Sequence, residues 1–396
     1  MSDNISYELQ VEIMKRLPVK SLIQCRSVSK TWKSLIDSSE FAAEYNRHRT
    51  KMPHIFVRYD DLTDYNVRYV SILDDDNFPR NRVFLTPPLL VQIHEYYNIL
   101  GCSHGLFCFY RADSISGTGK SLLWNPSIRK IVEVVVPDVT DWETYETVLG
   151  FGVCRETNDP TIVKITHIVS WGGMESASCI PWQVEIFTLS TGAWRRLSGN
   201  LPRKLVRFQF DSADDCCSVV VDGVIYWFAT ERNTMDGGSR NLIISFDITS
   251  EVFGEVNLPN SLAHAPSEHW LSMFKQRESL MVLDNVCEED RMAYDVWMME
   301  GGVTKSFTKV STFSYNTDDY VTPVGFRKSG EHIVEIVEGN RGHLVGYEPH
   351  SEHIDNLGIY GVLDTFFVHP YMETLFLLDH PTARSDRTMG NISGFD

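Results

Sequence analysis

Three short stretches carry residue types and spacings that could do chemistry. Gly101-Cys102-Ser103-His104-Gly105 has the glycine-x-serine-x-glycine spacing of a nucleophile elbow, whose serine attacks a carbonyl from a sharp strand-to-helix turn. That chemistry needs a helix after the serine, and Leu106-Phe107-Cys108-Phe109-Tyr110 reads as strand instead. The expectation here is the tight turn of a β-hairpin. Gly117-Thr118-Gly119-Lys120-Ser121 has the form of the end of a phosphate-binding loop. Ser114 stands where the first glycine belongs, and Pro126 follows too soon for the helix that would hold the phosphate, so a polar loop is expected. His350, Glu352 and His353, with Glu348 and Asp355 beside them, are metal-ligand types, but they fall in a polar turn and are expected to be solvated. The expectation is therefore a chain that is not an enzyme and takes no cofactor or metal.

The elements around these stretches divide the chain sharply. In the first fifty residues the apolar period is helical. Ser6 can cap a helix whose stripe is Ile5, Leu9, Ile13 and Leu17, and Pro18 ends it. A second helix is expected over Val19–Val28, with Leu22, Cys25 and Val28 on one side. Ser29 can cap a third, carrying Trp32, Leu35 and Ile36, and Phe41–His48 has room for one more short turn of helix. Three helices of about ten residues make a very small core. They cannot hide all these apolar side chains, so a docking surface is expected beside the core.

From about His54 the period changes from 3.6 to 2, in segments such as HIFVRY, TIVKITHIV and SVVVDGVIYWFA. The regularity comes from a repeat. An aromatic residue ends a strand, a polar turn follows, and an apolar residue stands seven positions on. The pairs are Trp124/Ile131, Phe187/Trp194, Phe246/Phe253 and Tyr347/Ile354, and Trp297/Phe307 is a fifth with a longer turn containing Gly301-Gly302. Hairpin turns near Gly105, Asn158-Asp159, Gly223, Gln276-Arg277 and Ser329-Gly330 keep the same period of about 50–65 residues. Repeated four-stranded sheets of this kind stack radially into a β-propeller, and the leftover strands at about 54–85 and 360–379 are placed to close a sixth blade.

The chain has 396 residues and a formal charge of −17. Residues 1–50 carry a net +2, which leaves −19 on the remainder. Such an acidic chain repels a phosphate backbone, so nucleic-acid partners are not expected. The basic set Lys15, Arg16, Lys20, Arg26, Lys30 and Lys33 is suited to steering an acidic partner to the helical end. No apolar run approaches a membrane span, and the start, MSDNISYELQ, is no secretory signal. The eight cysteines contain no CxxC pair and are expected to be buried thiols in a reducing compartment.

Over SYELQVEIMKRLPVKSLIQCRSVSKTWKSLIDSSEF the sequence resembles an F-box. Arg16-Leu17-Pro18-Val19-Lys20-Ser21-Leu22, Cys25, Val28-Ser29-Lys30, Trp32 and Leu35-Ile36 all fit that family's pattern, and Ile5-Ser6 replaces its opening Leu-Pro. From about residue 95 to 379, stretches such as GCSHGLFCF, LLWNPSIRK and VEIFTLSTGAWRRL are similar to the kelch-like F-box-associated domain of plant F-box proteins. Kelch repeats end a strand in diglycine, and Gly172-Gly173 is the convincing instance here.

The resemblance implies a multidomain chain. A small all-α F-box of three helices (1–46) and a short connector (47–54) would precede an all-β, kelch-like irregular β-propeller (55–385) and a flexible tail (386–396). It also implies a substrate receptor of a Skp–cullin–F-box ubiquitin ligase, in the cytoplasm, the nucleus or both. A Skp-family adaptor would dock on Ile5, Leu9, Ile13, Leu17, Pro18, Val19, Leu22, Val28, Trp32 and Leu35, and through it a cullin–RING ligase. The β-domain would hold a target protein for ubiquitination and proteasomal degradation. The alternative is a kelch-type protein- or glycan-binding module without ubiquitin coupling.

Overall fold

The computed structural model describes residues 5–49, 53–87, 98–112, 118–137, 145–168, 181–199, 201–203, 206–209, 218–232, 239–266, 270–288, 291–301, 305–315, 321–339, 341–349, 351, 353–377 and 384–385. The helical end opens as its caps dictate. Ser6 Oγ accepts the Leu9 amide at 3.4 Å and starts α1 (Tyr7–Arg16). Pro18 then separates it from α2 (Val19–Arg26), which ends two residues short of the expected Val28. Ser29 Oγ accepts the Trp32 amide at 3.0 Å and starts α3 (Lys30–Ile36). The last turn of helix is longer than its sequence period promises: α4 runs over Ser39–Arg49, past the expected domain boundary at 46.

Among the described residues after α4, the regular elements are antiparallel strands apart from one turn of helix, α5 (Asn260–Ala263). Blade two is β4 (Asn98–Ser103), β5 (Leu106–Ala112), β6 (Gly119–Asn125) and β7 (Lys130–Val136). Blade three is β8 (Tyr145–Val153), β9 (Pro160–Ile168), β10 (Gln183–Thr188) and β11 (Ala193–Arg196). Blade four is β12 (Val206–Phe208), β13 (Val219–Val221), β14 (Val224–Arg232), β15 (Ser239–Asp247) and β16 (Val252–Val256). Blade five is β17 (Trp270–Gln276), β18 (Ser279–Glu288), β19 (Arg291–Glu300) and β20 (Ser306–Ser314). Blade six is β21 (Val321–Phe326), β22 (His332–Glu338), β23 (Arg341–Glu348) and β24 (His353–Val362).

The chain ends make the closing blade. β25 (Phe367–Tyr371) is its inner strand, followed outward by β1 (His54–Asp60), β2 (Val67–Leu73) and β3 (Arg82–Leu85). A final short strand, β26 (Arg384–Ser385), pairs with the outer edge of blade two. Apolar clusters bridge each neighbouring pair of blades, including six to one, so the ring is closed.

Four of the seven-residue aromatic pairs are direct cross-strand neighbours: Trp124 faces Ile131, Phe187 faces Trp194, Phe246 faces Phe253 and Tyr347 faces Ile354. The fifth pairing is corrected. Trp297 lies opposite Lys309, and Phe307 faces Met299, because the connection from Glu300 to Ser306 sets that register; beyond it the register slips at Val296/Trp297. Val310 is the extra residue and is left exposed.

Packing between blades sets residue size. Trp227 is wholly buried and its indole N–H donates to the Leu149 carbonyl at 3.0 Å. Gly150 lies directly beneath that ring, and a Cβ there would collide with it.

Candidate docking surface and channel mouth

The helical end has two sides. Its core holds Met14, Val19, Leu22, Ile36, Phe41 and Tyr45. The Tyr45 hydroxyl donates to the Leu17 carbonyl at 2.8 Å and the Trp32 indole to Gln10 at 3.0 Å, while an Arg26–Asp37 fork ties α2 to the end of α3. Lys15, expected among the steering charges, is nearly buried between Glu12 and Glu44, each at 2.7 Å.

The opposite side stays uncovered. Ile5, Tyr7, Leu9, Ile13 and Val28 are all exposed, Leu9 at 58% and Val28 at 71%. Pro18 is exposed, and Leu17, Trp32 and Leu35 are half-buried at its edge. Val19 and Leu22, by contrast, are fully buried. The short α2 must turn one face inward to give the helices any core, and these two occupy it.

That core is not finished by helices alone. Residues 372–377 leave β25 as a strap, and Leu375, 2% exposed, inserts among Leu22, Phe41 and Tyr45. Asn46 Oδ1 accepts the Leu375 amide at 3.1 Å, and the Val19 amide donates to Glu373 at 3.4 Å. On the propeller side Asn125, wholly buried, donates to the Thr374 and Phe376 carbonyls at 3.1 and 2.8 Å. Gly105 adopts a φ of +74° under the Met372 carbonyl, and a Cβ would strike that oxygen. Leu375 opens the apolar run Leu375-Phe376-Leu377-Leu378, which reads as more strand, so nothing in the sequence marked the strap.

The stretches that tempted toward chemistry resolve simply. Ser103 and His104 form a 3.0 Å hydrogen bond in the β4–β5 hairpin turn, followed by strand. Lys120 and Ser121 lie within β6. His353 and Asp355 sit 3.2 Å apart on the exposed edge strand β24. Among the described residues no group of three or more His, Cys, Asp or Glu is placed to hold a metal. Ser114, Gly117, Gly172, Gly173, Gly302, His350 and Glu352 lie outside the described residues. Cys102, Cys108 and Cys154 are buried free thiols and Cys25 is half-buried; burial pushes Cys102 up to about 12.

At the same end as the helices, the inner turns of the blades converge on a cavity of about 560 Å³ at the propeller axis. Lys275 at the end of β17 is half-buried there, with His104 and His369 nearby. Burial, together with the Lys275 charge, lowers both histidines, His369 to about 4. A recess of about 930 Å³ between α3, α4 and the β8–β9 turn lies alongside, and His104, Arg155 and Met372 line both.

The geometry defines a two-part protein: a helical head with one uncovered apolar face, tied by a strap onto a closed six-bladed propeller. An F-box domain family model matches residues 2–43, and the F-box associated beta propeller domain model matches 62–348. The chain belongs to the F-box proteins that carry an F-box-associated β-propeller. Among similar proteins is the F-box protein CPR1 of Arabidopsis thaliana, 25% identical, with 90% of this chain aligned to 84% of that one. The F-box/kelch-repeat protein At3g23880 of the same plant is 26% identical over 81% of this chain and 82% of its own length. The chain spans 62% of the putative F-box protein At3g10430, also from Arabidopsis, at 25% identity. No helix among the described residues is long and apolar enough to cross a membrane.

Proposed function

We propose that this chain is the substrate-recognition subunit of a Skp–cullin–F-box ubiquitin ligase. The observation that carries the reading is the uncovered apolar face of α1, formed by Ile5, Leu9 and Ile13, with Val28 exposed at the end of α2. Covering what is still exposed of one such side chain yields roughly 1–2 kcal/mol, so several together contribute substantially against the cost of association. A Skp-family adaptor would supply that cover, meeting Ile5, Leu9, Ile13, Leu17, Pro18 and Val28. Trp32 and Leu35 would support the surface from its edge, and Val19 and Leu22 would hold its shape from within.

The propeller would then hold a target protein, and the strap would keep propeller and head in one relative position. Catalysis would belong to other subunits, with this chain contributing proximity and orientation of the target lysine. Such a role places the protein in the cytoplasm or nucleus. Affinity capture of the full chain from cells tests the reading. A Skp-family adaptor and a cullin should co-purify, and captured target should rise when the proteasome is inhibited. Capture of a target whose abundance ignores proteasome inhibition, with no adaptor present, would point to a binding module without ubiquitin coupling.

A further inference from the structure

The cavity at the channel mouth has a charge pattern at odds with the chain around it. Of its carboxylates, Asp74 accepts from Arg327 at 3.0 Å and from the Lys328 amide at 2.8 Å, and Arg327 is shared with Glu331. Asp222 is engaged by Arg155 at 3.1 Å, and Arg155 also reaches Asp247 at 2.6 Å. Three further cations line the space. The Lys275 ammonium donates no hydrogen bond among the described residues, and its nearest carboxylate, Glu278, stands 3.9 Å away with an 82% exposed side chain. The Arg277 guanidinium reaches the Lys328 carbonyl at 3.2 Å, with no carboxylate partner among the described residues. The Lys328 side chain likewise has no carboxylate partner there. In a protein of formal charge −17, a concavity lined by four cations (Arg155, Lys275, Arg277 and Lys328) and three carboxylates (Asp74, Asp222 and Glu278) is locally basic against the chain around it.

We propose that the helical-end mouth of the channel is a binding site for a small polyanion, a metabolite bearing two or more phosphate or carboxylate groups. A volume of about 560 Å³ suits a molecule of that size. A concavity of this size, with Met372 of the strap in its wall, takes a small molecule rather than a folded partner. Half-buried Lys275 supplies one charge, exposed Arg277 and Lys328 supply two more, and Gln276 and His104 add polar edges. The bound molecule would bridge turns of several blades beside the strap. The site is independent of the adaptor reading.

Titration calorimetry on the full chain tests this, with pyrophosphate and citrate as probes and sodium chloride at matched ionic strength. Saturable one-to-one binding of either probe is expected, and the better binder identifies phosphate or carboxylate as the preferred group. Lys275→Met and Arg277→Gln should each weaken it at least about tenfold. Lys120→Gln, whose ammonium pairs with Glu133 on blade two, should leave it unchanged. Thermal midpoints without probe confirm that each variant folds. No saturable heat up to about 10 mM of either probe, or equal binding by Lys275→Met and Lys120→Gln, overturns the proposal.

Discussion

Asn46 on α4 accepts a hydrogen bond from the backbone of Leu375, a residue that follows the last inner strand of the propeller. The Leu375 side chain completes the helical core. Two parts that look separable in sequence therefore share one hydrophobic centre. Leu375→Ala should cost the helical end about 2–5 kcal/mol, the range for opening a leucine-sized cavity. Hydrogen exchange should show α2 and α4 losing protection while the blades keep theirs. Equal protection in variant and parent would mean that the helices stand without the strap.

Gly105→Ala acts on the other side of the same strap. The added methyl meets the Met372 carbonyl and must also adopt a left-handed backbone. A loss of about 1–3 kcal/mol is expected, with altered exchange at 372–377. A thermal midpoint within experimental error of the parent would contradict the close approach.

Gly150→Ala tests packing between blades three and four. Its methyl collides with the Trp227 ring, whose indole N–H already holds the Leu149 carbonyl. Overpacking should destabilise the propeller by about 1–3 kcal/mol. Because Trp227 is buried, the change should also appear as a shift in tryptophan fluorescence on chemical unfolding.

Glu335 sets a pH dependence. It is buried on β22, where its carboxylate accepts the Asp364 amide at 3.1 Å, and burial pushes it from an ordinary 4.5 up to about 7. The unfolded chain releases this proton near 4.5 while the folded chain keeps it until about 7. Its contribution is therefore most favourable below 4.5, falls as pH rises to 7, and is constant above. Glu335→Gln should remove that slope and be the more stable protein above pH 7, by at most roughly 3 kcal/mol. Denaturant midpoints measured from pH 4 to 8 check both the slope and its sign.

The propeller was legible because hairpins write their register locally. A strand-ending aromatic, a polar turn and an apolar residue seven positions on can pair in one way, and four such pairs face each other. The closing blade was legible as the strands left over once the repeats were set aside, and β25 does pair with β1. The helix caps Ser6 and Ser29 act as their spacing implied. What stayed hidden depends on distant residues. The longer connection between β19 and β20 sets Trp297 opposite Lys309, and the bulge at Val310 beyond it has no mark in composition. Leu375 and Lys275 are single residues whose partners are far away in sequence, so no period announces them. The burial of Val19 and Leu22 could not be told from the exposure of Leu9 and Ile13, because all four are apolar positions on short helices.

The account rests most on the uncovered helical face. Titration of the full chain with a purified Skp-family adaptor, compared with Leu9→Asp/Ile13→Asp, tests it directly. Both side chains are at least half exposed, so the variant should keep its thermal midpoint. Saturable one-to-one binding by the parent, weakened at least about a hundredfold in the variant, is the predicted result. Equal affinity in the two proteins, or no binding by the parent, would contradict the account.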